Sequence, residues 1–347
     1  MKKVTLQMIA DRLGVSKALV SKALSHDPAV SNTTREEIRK TAEELGYNFD
    51  KLRKSAAYGR TGNIAVLVPE AYLDDIEYWG RILRGIDKEL ASHGFSMLLS
   101  SINLSLTPEE GLPSAIREQK ADGALLLGHI PEEYGRLLEA KEVPFVLIDS
   151  NVRSGKHDHI LANNFFGAYE AVNRLLDSGH ASVAFVGDME TAWSFKERGR
   201  GFEEAVRDRN NRNGDEGVRM QWVRGAGVSG RGNYTSSAFA EELKQAVSAG
   251  VTGFFCANDM LAVELLHQMT RLGIHCPDEY SLIGFDDLSL SAILYPRLTT
   301  VRVPKEQMGA RAVQAILERL KQPERVPEQI LFATELMERD SVKKLRS

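Results

Sequence analysis

Cysteine is scarce in this sequence, since only Cys256 and Cys276 occur among 347 residues. Both stand in apolar or strand-like surroundings, which excludes a disulfide framework and a thiolate zinc site. No apolar run approaches the roughly 18 residues of a membrane span. The first residues, MKKVTLQMIADRLG, contain no signal-peptide core either. We therefore expect a soluble, cytoplasmic protein with no membrane partner.

The motifs of common enzymes are also missing. The glycines at 225–232 form neither a GxGxxG turn nor a P-loop, and the chain has no nucleophile elbow and no HExxH. Three ligands bunched at His157-Asp158-His159 cannot easily wrap one metal ion, so we interpret this segment as a solvated loop. The sequence thus predicts no catalytic residue, no metal and no cofactor.

Length and charge indicate several parts with different partners. A chain of 347 residues and 38.5 kDa is too long for one compact core and suits two or three domains. Residues 1–60 hold 12 Lys and Arg against 7 Asp and Glu, whereas the remainder holds 32 against 41. This small basic head on an acidic body suggests that the head meets a polyanion.

The first 47 residues predict short helices and no strand. Thr5 is placed to cap a helix over 6–13 that a glycine ends, and a second helix follows over 17–24. In a third helix, Thr33 and Glu36 stand at the spacing of a capping box. Two short helices joined by a glycine turn form the helix-turn-helix pattern, whose second helix enters the major groove of DNA.

The second predicted helix turns small and basic side chains outward, namely Lys17, Ala18, Ser21 and Lys22. Lysines donate to guanine edges, and the Ala18 methyl group suits a thymine methyl group. Ser16, Ser21 and Thr34 are short donors suited to phosphates. The same periodicity also fits a plain three-helix bundle whose lysines stay in water, so the pattern alone leaves both interpretations open.

After residue 61 the hydropathy pattern changes to apolar runs that alternate with helix-length amphipathic segments. The runs are IAVLV (64–68), FSMLL (95–99), ALLL (124–127), FVLI (145–148), VAFVG (183–187), GFFC (253–256) and SLIGF (281–285). Runs that are apolar throughout predict parallel strands buried on both faces. We expect a doubly wound α/β body, long enough for two lobes, with ligands beyond the carboxyl ends of the strands.

The ordered set of motifs resembles the lactose-repressor-type (LacI/GalR) family. The matching segments are 4–47, GRTGNIAVLVPE (59–70), SGHASVAFVGD (178–188), RGRGF (198–202), CANDMLA (256–262), SLIGFDD (281–287) and PRLTTVRVP (296–304). The resemblance implies a multi-domain chain: an all-α helix-turn-helix head (1–47), a hinge (48–61), and an α/β two-lobed, periplasmic-binding-protein-like body with parallel sheets (62–341). It places the N-lobe at about 62–161 and 292–323, and the C-lobe at about 162–291 and 324–341.

The resemblance also implies which side chains of the head and hinge meet DNA: Thr5, Leu6, Ser16, Lys17, Ala18, Ser21, Lys22, Ser31, Thr34, Tyr47, Arg53, Lys54, Ser55 and Ala56. Ala56 stands where the family places a leucine that wedges into the minor groove. A methyl group cannot fill an opened base step as an isobutyl group does. We therefore expect a shallower DNA kink, or a wedge supplied by Leu52 or Tyr58.

For the cleft between the lobes, the strand ends and the resemblance together give these effector-binding candidates: Tyr78, Trp79, Asp149, Asn163, Trp193, Arg198, Asn258 and Asp286. Trp79 is suited to stack on a sugar ring, and Asp149 to accept polyol hydroxyls. Arg198 offers a fixed fork of donors. For the two tryptophans the alternative is ordinary packing. Asp259 is expected to stabilise its own loop.

Two cleft positions depart from the family pattern, because Ala162 replaces an aspartate and Ser150 replaces a frequent arginine. Carboxylates and aromatic residues with a single arginine favour a neutral sugar over a phosphorylated one. The resemblance implies a cytoplasmic, nucleoid-associated repressor whose homodimer binds a double-stranded, palindromic operator under control of this small molecule. The chain shows no leucine-heptad tail, so we expect a dimer and no tetramer.

Three alternatives stay open at this point. One is a protein corepressor, which some family members use and nothing in this sequence supports. The others are a solute-binding protein of transport and a sugar or nucleotide enzyme built on the same body. The basic helical head and the missing catalytic motifs speak against these last two.

Overall fold

The computed structural model describes residues 4–24, 30–45, 47, 61–150, 156–190, 192–213, 217–224 and 237–345. The predicted hinge contacts Arg53, Lys54, Ser55 and Ala56, with Leu52 and Tyr58, lie outside these residues. The helices are α1 Leu6–Leu13, α2 Lys17–Leu24, α3 Asn32–Glu44, α4 Trp79–Ser92, α5 Ser114–Arg117, α6 Glu132–Ala140, α7 Asn164–Asp177, α8 Trp193–Asn213, α9 Ser237–Ser248, α10 Asp259–Arg271 and α11 Lys305–Lys321.

The strands of the described residues form two six-stranded sheets. They are β1 Asn63–Pro69, β2 Ser96–Ile102, β3 Gly123–Leu127, β4 Phe145–Ile148, β5 Asp158–Ala162, β6 Ser182–Val186, β7 Arg219–Val223, β8 Gly253–Cys256, β9 Ser281–Asp286, β10 Thr299–Arg302, β11 Gln329–Phe332 and β12 Glu335–Met337. The N-lobe sheet has the order β11-β5-β4-β3-β1-β2, and the C-lobe sheet has the order β12-β10-β9-β8-β6-β7. Among the described strands, the one antiparallel pairing is that of β12 with β10.

The head folds as its local signals predict. The Thr5 hydroxyl accepts the Met8 N–H and caps α1, and Gly14 ends this helix at φ 64°, a left-handed conformation that glycine adopts without strain. Ile9, Val20 and Ile38 from the three helices are buried in one small core. This confirms the bounds predicted for the first two helices.

The start of α3 differs from the prediction of a Thr33–Glu36 capping box. Ser31 is the N-cap, and its hydroxyl accepts the Thr34 N–H. The two oxygens Ser31 Oγ and Thr34 Oγ1 also lie 2.8 Å apart. The helix therefore begins earlier because a serine two positions upstream supplies the capping oxygen.

Each predicted apolar run lies largely in a strand of the body, and all but FSMLL (95–99) are buried as expected of parallel sheets with helices on both faces. The run in β2 is only partly buried, with Leu99 45% exposed, because β2 is an edge strand of the N-lobe sheet. The strands that the runs did not reveal contain polar residues, and β5 is the clearest case. Asp158 and His159 belong to β5 and are buried, so the prediction of a solvated loop was wrong for them. Asp158 is buried because Arg319 and Arg325 pair with it at 2.9 and 2.8 Å.

The lobe boundaries near the end of the chain also differ from the prediction. Segment 292–323 was assigned to the N-lobe, yet β10 pairs with β9 in the C-lobe sheet. Segment 324–341 was assigned to the C-lobe, yet β11 pairs with β5 in the N-lobe sheet. The chain therefore crosses between lobes after β5, between β10 and α11, and between β11 and β12.

Helices α4 and α11 pack backbone against backbone on the N-lobe. A Cβ atom on Gly85 would lie 2.1 Å from the Glu306 carbonyl oxygen, and one on Gly309 would lie 2.2 Å from the Ile82 carbonyl oxygen. Glycine is required at both positions because any side chain would force the helices apart. The two helices consequently behave as one rigid unit.

Outside the two predicted sites, the described residues offer few reactive or metal-binding groups. Both cysteines are free, and Cys256 is buried. No group of three or more metal-ligating side chains is arranged to hold an ion among these residues. None of the described helices combines the length and the apolar character that crossing a membrane requires.

Candidate functional site

The outer face of α2 carries the side chains predicted to read DNA. Lys17, Ala18 and Lys22 are exposed and Ser21 is half-buried, whereas the opposite face is buried in the core of the head. A helix that turns small and basic residues to solvent in a helix-turn-helix frame presents donors and a methyl group to base edges.

Hydroxyls at the helix starts serve the fold as well as the predicted phosphate contacts. Thr5, Ser16 and Ser31 each accept a backbone N–H of the helix that follows. A hydroxyl that accepts in this way still has an O–H to donate to a phosphate, except that Ser31 and Thr34 share one hydrogen bond between their hydroxyls. Helix N-termini themselves favour anions. Leu6 and Tyr47 differ from these residues, because both pack against the core of the head.

On the N-lobe, Tyr78 and Asp149 form a buried pair at the carboxyl ends of the strands. Asp149 follows β4, and its Oδ2 accepts the Tyr78 hydroxyl at 2.9 Å. Its Oδ1 is buried and has no hydrogen-bond partner among the described residues. Burial raises the pKa of Asp149, while the Arg198 guanidinium opposes this rise. The pair therefore leaves one acceptor oxygen that a ligand hydroxyl can satisfy.

Trp79 is more enclosed than its predicted role requires. It is 7% exposed, and Tyr72 stacks on its ring with centroids 4.8 Å apart and planes 7° from parallel. The half-buried Tyr72 thus covers the face that we predicted for a sugar ring. Tyr72 was not predicted, although its position three residues after β1 was a usable signal.

On the C-lobe, Arg198 lies at the centre of the buried polar cluster. It is 2% exposed, and its guanidinium lies over the Phe285 ring at 3.7 Å. Nε donates to Asn164 Oδ1 at 2.9 Å and Nη1 donates to the Ala257 carbonyl oxygen at 2.5 Å. Nη2 lies 3.1 Å from Asp286 Oδ1. Each of the three guanidinium nitrogens therefore has a protein partner.

Asp286 faces Arg198 without a hydrogen bond. Its Oδ1 is at ion-pair distance, but the atoms are not aligned, and this buried oxygen has no hydrogen-bond partner among the described residues. Burial raises the pKa of Asp286 to about 7, although Arg198 and Lys305 lower it. Asp149 and Asp286 also have positive φ angles of 50° and 109°, which are strained for aspartate and typical of functional sites.

Two predicted asparagines cap helices. Asn163 Oδ1 accepts the Phe166 N–H at the start of α7, and Asn258 Oδ1 accepts the Leu261 N–H at the start of α10. Their amide groups keep donors for a ligand. Asn164, the residue after Asn163, contacts Arg198 and was not predicted. Trp193 is half-buried at the start of α8.

Lys305 joins the cluster from the first turn of α11, and the sequence analysis did not find it. It is 3% exposed, its ammonium group donates to the Asp286 carbonyl oxygen, and the Tyr78 ring lies 5.5 Å away. Burial lowers the pKa of Lys305, and Asp286 opposes this. Pro304 caps the start of α11, and this proline directly before Lys305 was the sequence feature that marked the helix start.

Asp259 stabilises its loop, as predicted. It is fully buried and accepts hydrogen bonds from the Leu288 N–H at 2.8 Å, Ser291 Oγ at 2.7 Å and Thr300 Oγ1 at 2.5 Å. Burial raises the pKa of Asp259 to about 6. The carboxyl group thereby ties α10 to the segment after β9 and to β10.

Burial raises the pKa values of Asp259 to about 6 and Asp286 to about 7, and lowers those of His159 and His180 to about 4, so the two kinds of group act in opposite directions between about pH 4 and 7. The stability that the two carboxyl groups contribute falls as pH rises through this window, because the folded chain keeps protons there that the unfolded chain has lost. Each group contributes up to about 1.4 kcal/mol per pH unit. Asp286→Asn removes the contribution of Asp286 and should change the slope of stability against pH, whereas the exposed Asp87→Asn should keep the slope of the parent. Urea unfolding at pH 5, 6 and 7 measures this, and an equal slope for Asp286→Asn and the parent would contradict it.

An all-α helix-turn-helix head joined to a two-lobed α/β body, with polar residues of both lobes at one cleft, defines a DNA-binding transcription regulator. Residues 5–49 match the model of bacterial regulatory proteins of the lacI family, and residues 172–342 match that of a periplasmic binding protein-like domain. The head is thus similar to the lacI family and the body to periplasmic binding proteins. The relatives of the whole chain are transcriptional repressors, which favours neither a transport protein nor an enzyme.

Individual relatives agree with this family over nearly the whole chain. The HTH-type transcriptional repressor PurR of Vibrio campbellii is 27% identical, covering 98% of this chain and 99% of the relative. The structure of the regulator CelR with cellobiose has a TM-score of 0.69 at 24% identity, over 98% of this chain and 100% of the other. The lac repressor dimer bound to operator and the anti-inducer ONPF has a TM-score of 0.71 at 21% identity, over 99% and 100%.

Proposed function

We propose that this chain is a repressor whose operator affinity is controlled by a neutral, polyhydroxylated molecule, of the class of sugars, in the cleft between its lobes. The observation that carries the proposal is the pair of buried carboxyl oxygens, Asp149 Oδ1 and Asp286 Oδ1, which have no hydrogen-bond partner among the described residues. A buried acceptor is costly unless it is satisfied, and the hydroxyl groups of a polyol are suitable donors.

The charges of the cleft support a neutral ligand. Two cations, Arg198 and Lys305, lie among the carboxyl groups of Asp149 and Asp286, with that of Asp75 close enough to act on both Lys305 and Asp286, so the cleft carries no clear excess of positive charge. Arg198 already donates to protein acceptors and faces Asp286. A strongly anionic ligand would have to compete with that carboxyl group. The bound cellobiose of the related regulator CelR agrees with this class.

The proposed mechanism couples closure of the lobes to the DNA-binding heads. Tyr78 and Asp149 belong to the N-lobe and Arg198 and Asp286 to the C-lobe, so a ligand that contacts all four favours one relative position of the lobes. Two heads of a homodimer, as in the lac repressor dimer on its operator, would read the half-sites of a palindrome. By linkage, the operator changes effector affinity by the same factor.

We further propose that the effector-contacting residues are those predicted above, with Tyr72 covering the stacking face of Trp79, and that Asn164 and Lys305 extend the set. We also propose that the protein acts in the cytoplasm at the bacterial nucleoid. The DNA-contacting set stays as predicted. Its hinge members are supported by the family resemblance alone.

A thermal-unfolding screen of the full-length protein tests the proposed ligand class. The panel contains neutral sugars (cellobiose among them), uronic acids, sugar phosphates and purines. A ligand at a hundred times its Kd contributes about 2.7 kcal/mol, and the midpoint should rise by about 5 °C. We expect a neutral sugar to do this in the parent and in Glu133→Gln, an exposed control, but not in Asp149→Asn.

Two results would overturn this proposal. A shift with a sugar phosphate or a uronic acid and with no neutral sugar would contradict the neutral ligand. A neutral sugar that stabilises Asp149→Asn as much as the parent would contradict the assigned site.

A further inference from the structure

Two side chains at the start of α4 reach across the cleft to one residue of the C-lobe. Ser289, the first residue of a short 3-10 helix after β9, donates its N–H to Glu77 Oε2 at 3.1 Å. Its hydroxyl oxygen accepts a hydrogen bond from Arg81 Nη2 at 2.7 Å. Glu77 and Arg81 also pair with each other at 3.4 Å. One serine is thus held through both its backbone and its side chain.

The C-lobe side of this contact is fixed in place by Asp259. Its buried carboxyl group accepts hydrogen bonds from the neighbours of Ser289, namely the Leu288 N–H and the Ser291 hydroxyl. The segment that presents Ser289 is therefore anchored to α10 and β10. Ser289 therefore moves together with the C-lobe.

The N-lobe side is equally rigid. Arg81 lies on α4, which packs backbone against backbone on α11 at Gly85 and Gly309. The same helix pair makes a second crossing, because Lys305 at the start of α11 donates to the Asp286 carbonyl oxygen of the C-lobe. Two separate contacts from one rigid unit resist rotation of the lobes better than either contact alone.

We propose that Glu77, Arg81 and Lys305 form an interlobe clasp that holds the two lobes closed and so brings the Tyr78–Asp149 pair beside Arg198 and Asp286. The side chains of Glu77 and Arg81 are 45% and 38% exposed, and exposed ion pairs are weak. The two contacts to Ser289 are thus easily broken and remade, which suits a reversible device, whereas the Lys305 contact is buried. The Ser289 N–H lowers the pKa of Glu77, which shows that the contact favours the carboxylate.

The clasp regulates the cleft of the proposed function. A ligand that needs the closed arrangement binds with an apparent affinity reduced by the fraction of chains that are open. Opening the clasp therefore weakens effector binding without removing any ligand contact. Only this effect on effector binding rests on the proposed function, because closure itself is measured without any sugar.

Amide hydrogen exchange of the full-length protein, read by mass spectrometry, tests the clasp. In Glu77→Ala and in Arg81→Ala, we expect exchange about tenfold faster in the peptides that contain Ser289 and Tyr78. Glu132→Ala is the matched control, because Glu132 and Arg136 form an i,i+4 pair within the N-lobe. It should exchange as the parent does.

Ser289→Ala removes all of the Arg81 arm and part of the Glu77 arm. The variant loses the hydroxyl that both Arg81 and Glu77 contact and keeps the N–H that Glu77 contacts, so adding Arg81→Ala to it should change little further. Adding Glu77→Ala should accelerate exchange again. Parent-like exchange in both Glu77→Ala and Arg81→Ala would overturn the clasp. Because exchange is measured without a sugar, that result would not bear on the proposed ligand class, which the thermal-unfolding screen tests.

Discussion

Replacing Arg198 by alanine is expected to destabilise the full-length protein by about 3–5 kcal/mol, the usual cost of removing one partner from a buried ion pair. The guanidinium is 2% exposed and contacts Asn164, Ala257, Asp286 and the Phe285 ring. Its loss leaves two buried acceptors without a donor and a carboxyl group without a cation. Denaturant unfolding monitored by circular dichroism measures the change, and effector binding should be lost with it.

Arg200→Ala is the matched control for this prediction. Arg200 lies two residues away on the same helix and is exposed; it pairs with Glu197, and its guanidinium lies 5.9 Å from the centroid of the Phe165 ring. We expect a change within about 0.5 kcal/mol for this surface position. Adding Asp286→Asn to Arg198→Ala should recover part of the loss, because the unpaired carboxylate is then gone. A loss below about 1 kcal/mol for Arg198→Ala would contradict the buried cluster.

Lys17→Ala is expected to lower the affinity of the full-length protein for its operator by about 5- to 150-fold, which corresponds to about 1–3 kcal/mol for a base contact. Lys17 is exposed at the first position of α2, the end of a recognition helix that meets base edges. A duplex selected from a random pool serves as the operator. The variant should also lose discrimination at one base position of each half-site.

Lys88→Ala removes an equal charge from α4 of the body and should leave operator affinity unchanged. Lys88 is exposed and distant in sequence from the head. If Lys17→Ala binds the selected duplex as tightly as Lys88→Ala does, α2 is not the recognition helix. The three-helix bundle that the periodicity left open would then describe the head.

The head could be predicted from the sequence because its signals are local. A capping threonine and a glycine with positive φ fix α1 within a few residues of the chain. The one error, at the start of α3, arose because Ser31 and Thr33 are both good caps and the sequence does not show which hydroxyl reaches the free N–H groups.

The strands were predicted where they are apolar throughout and missed where they contain polar residues. Strand β5 escaped because Asp158 is neutralised by Arg319 and Arg325, which lie more than 150 residues further along the chain. The crossings of β10 and β11 between lobes depend on strand pairing, which no local pattern encodes. These are consequences of tertiary structure.

The candidate site follows the same rule. Residues at strand ends, such as Asp149 and Asp286, were found because parallel strands direct their carboxyl ends to one edge. Tyr72, Asn164 and Lys305 were missed because only packing reveals that they cover Trp79, hold Arg198 and face Asp286. The stacking of Tyr72 on Trp79 also changed the role expected of the tryptophan.

The affinity of the full-length protein for its selected duplex, compared with a scrambled duplex across a range of salt concentrations, tests the central claim most directly. A lacI-family repressor should prefer the selected duplex by at least about 1,000-fold. Its log affinity should fall with log salt by about 0.9 per phosphate neutralised. Equal affinity for both duplexes, with no dependence on salt, would contradict the assignment of this chain as an operator-binding regulator.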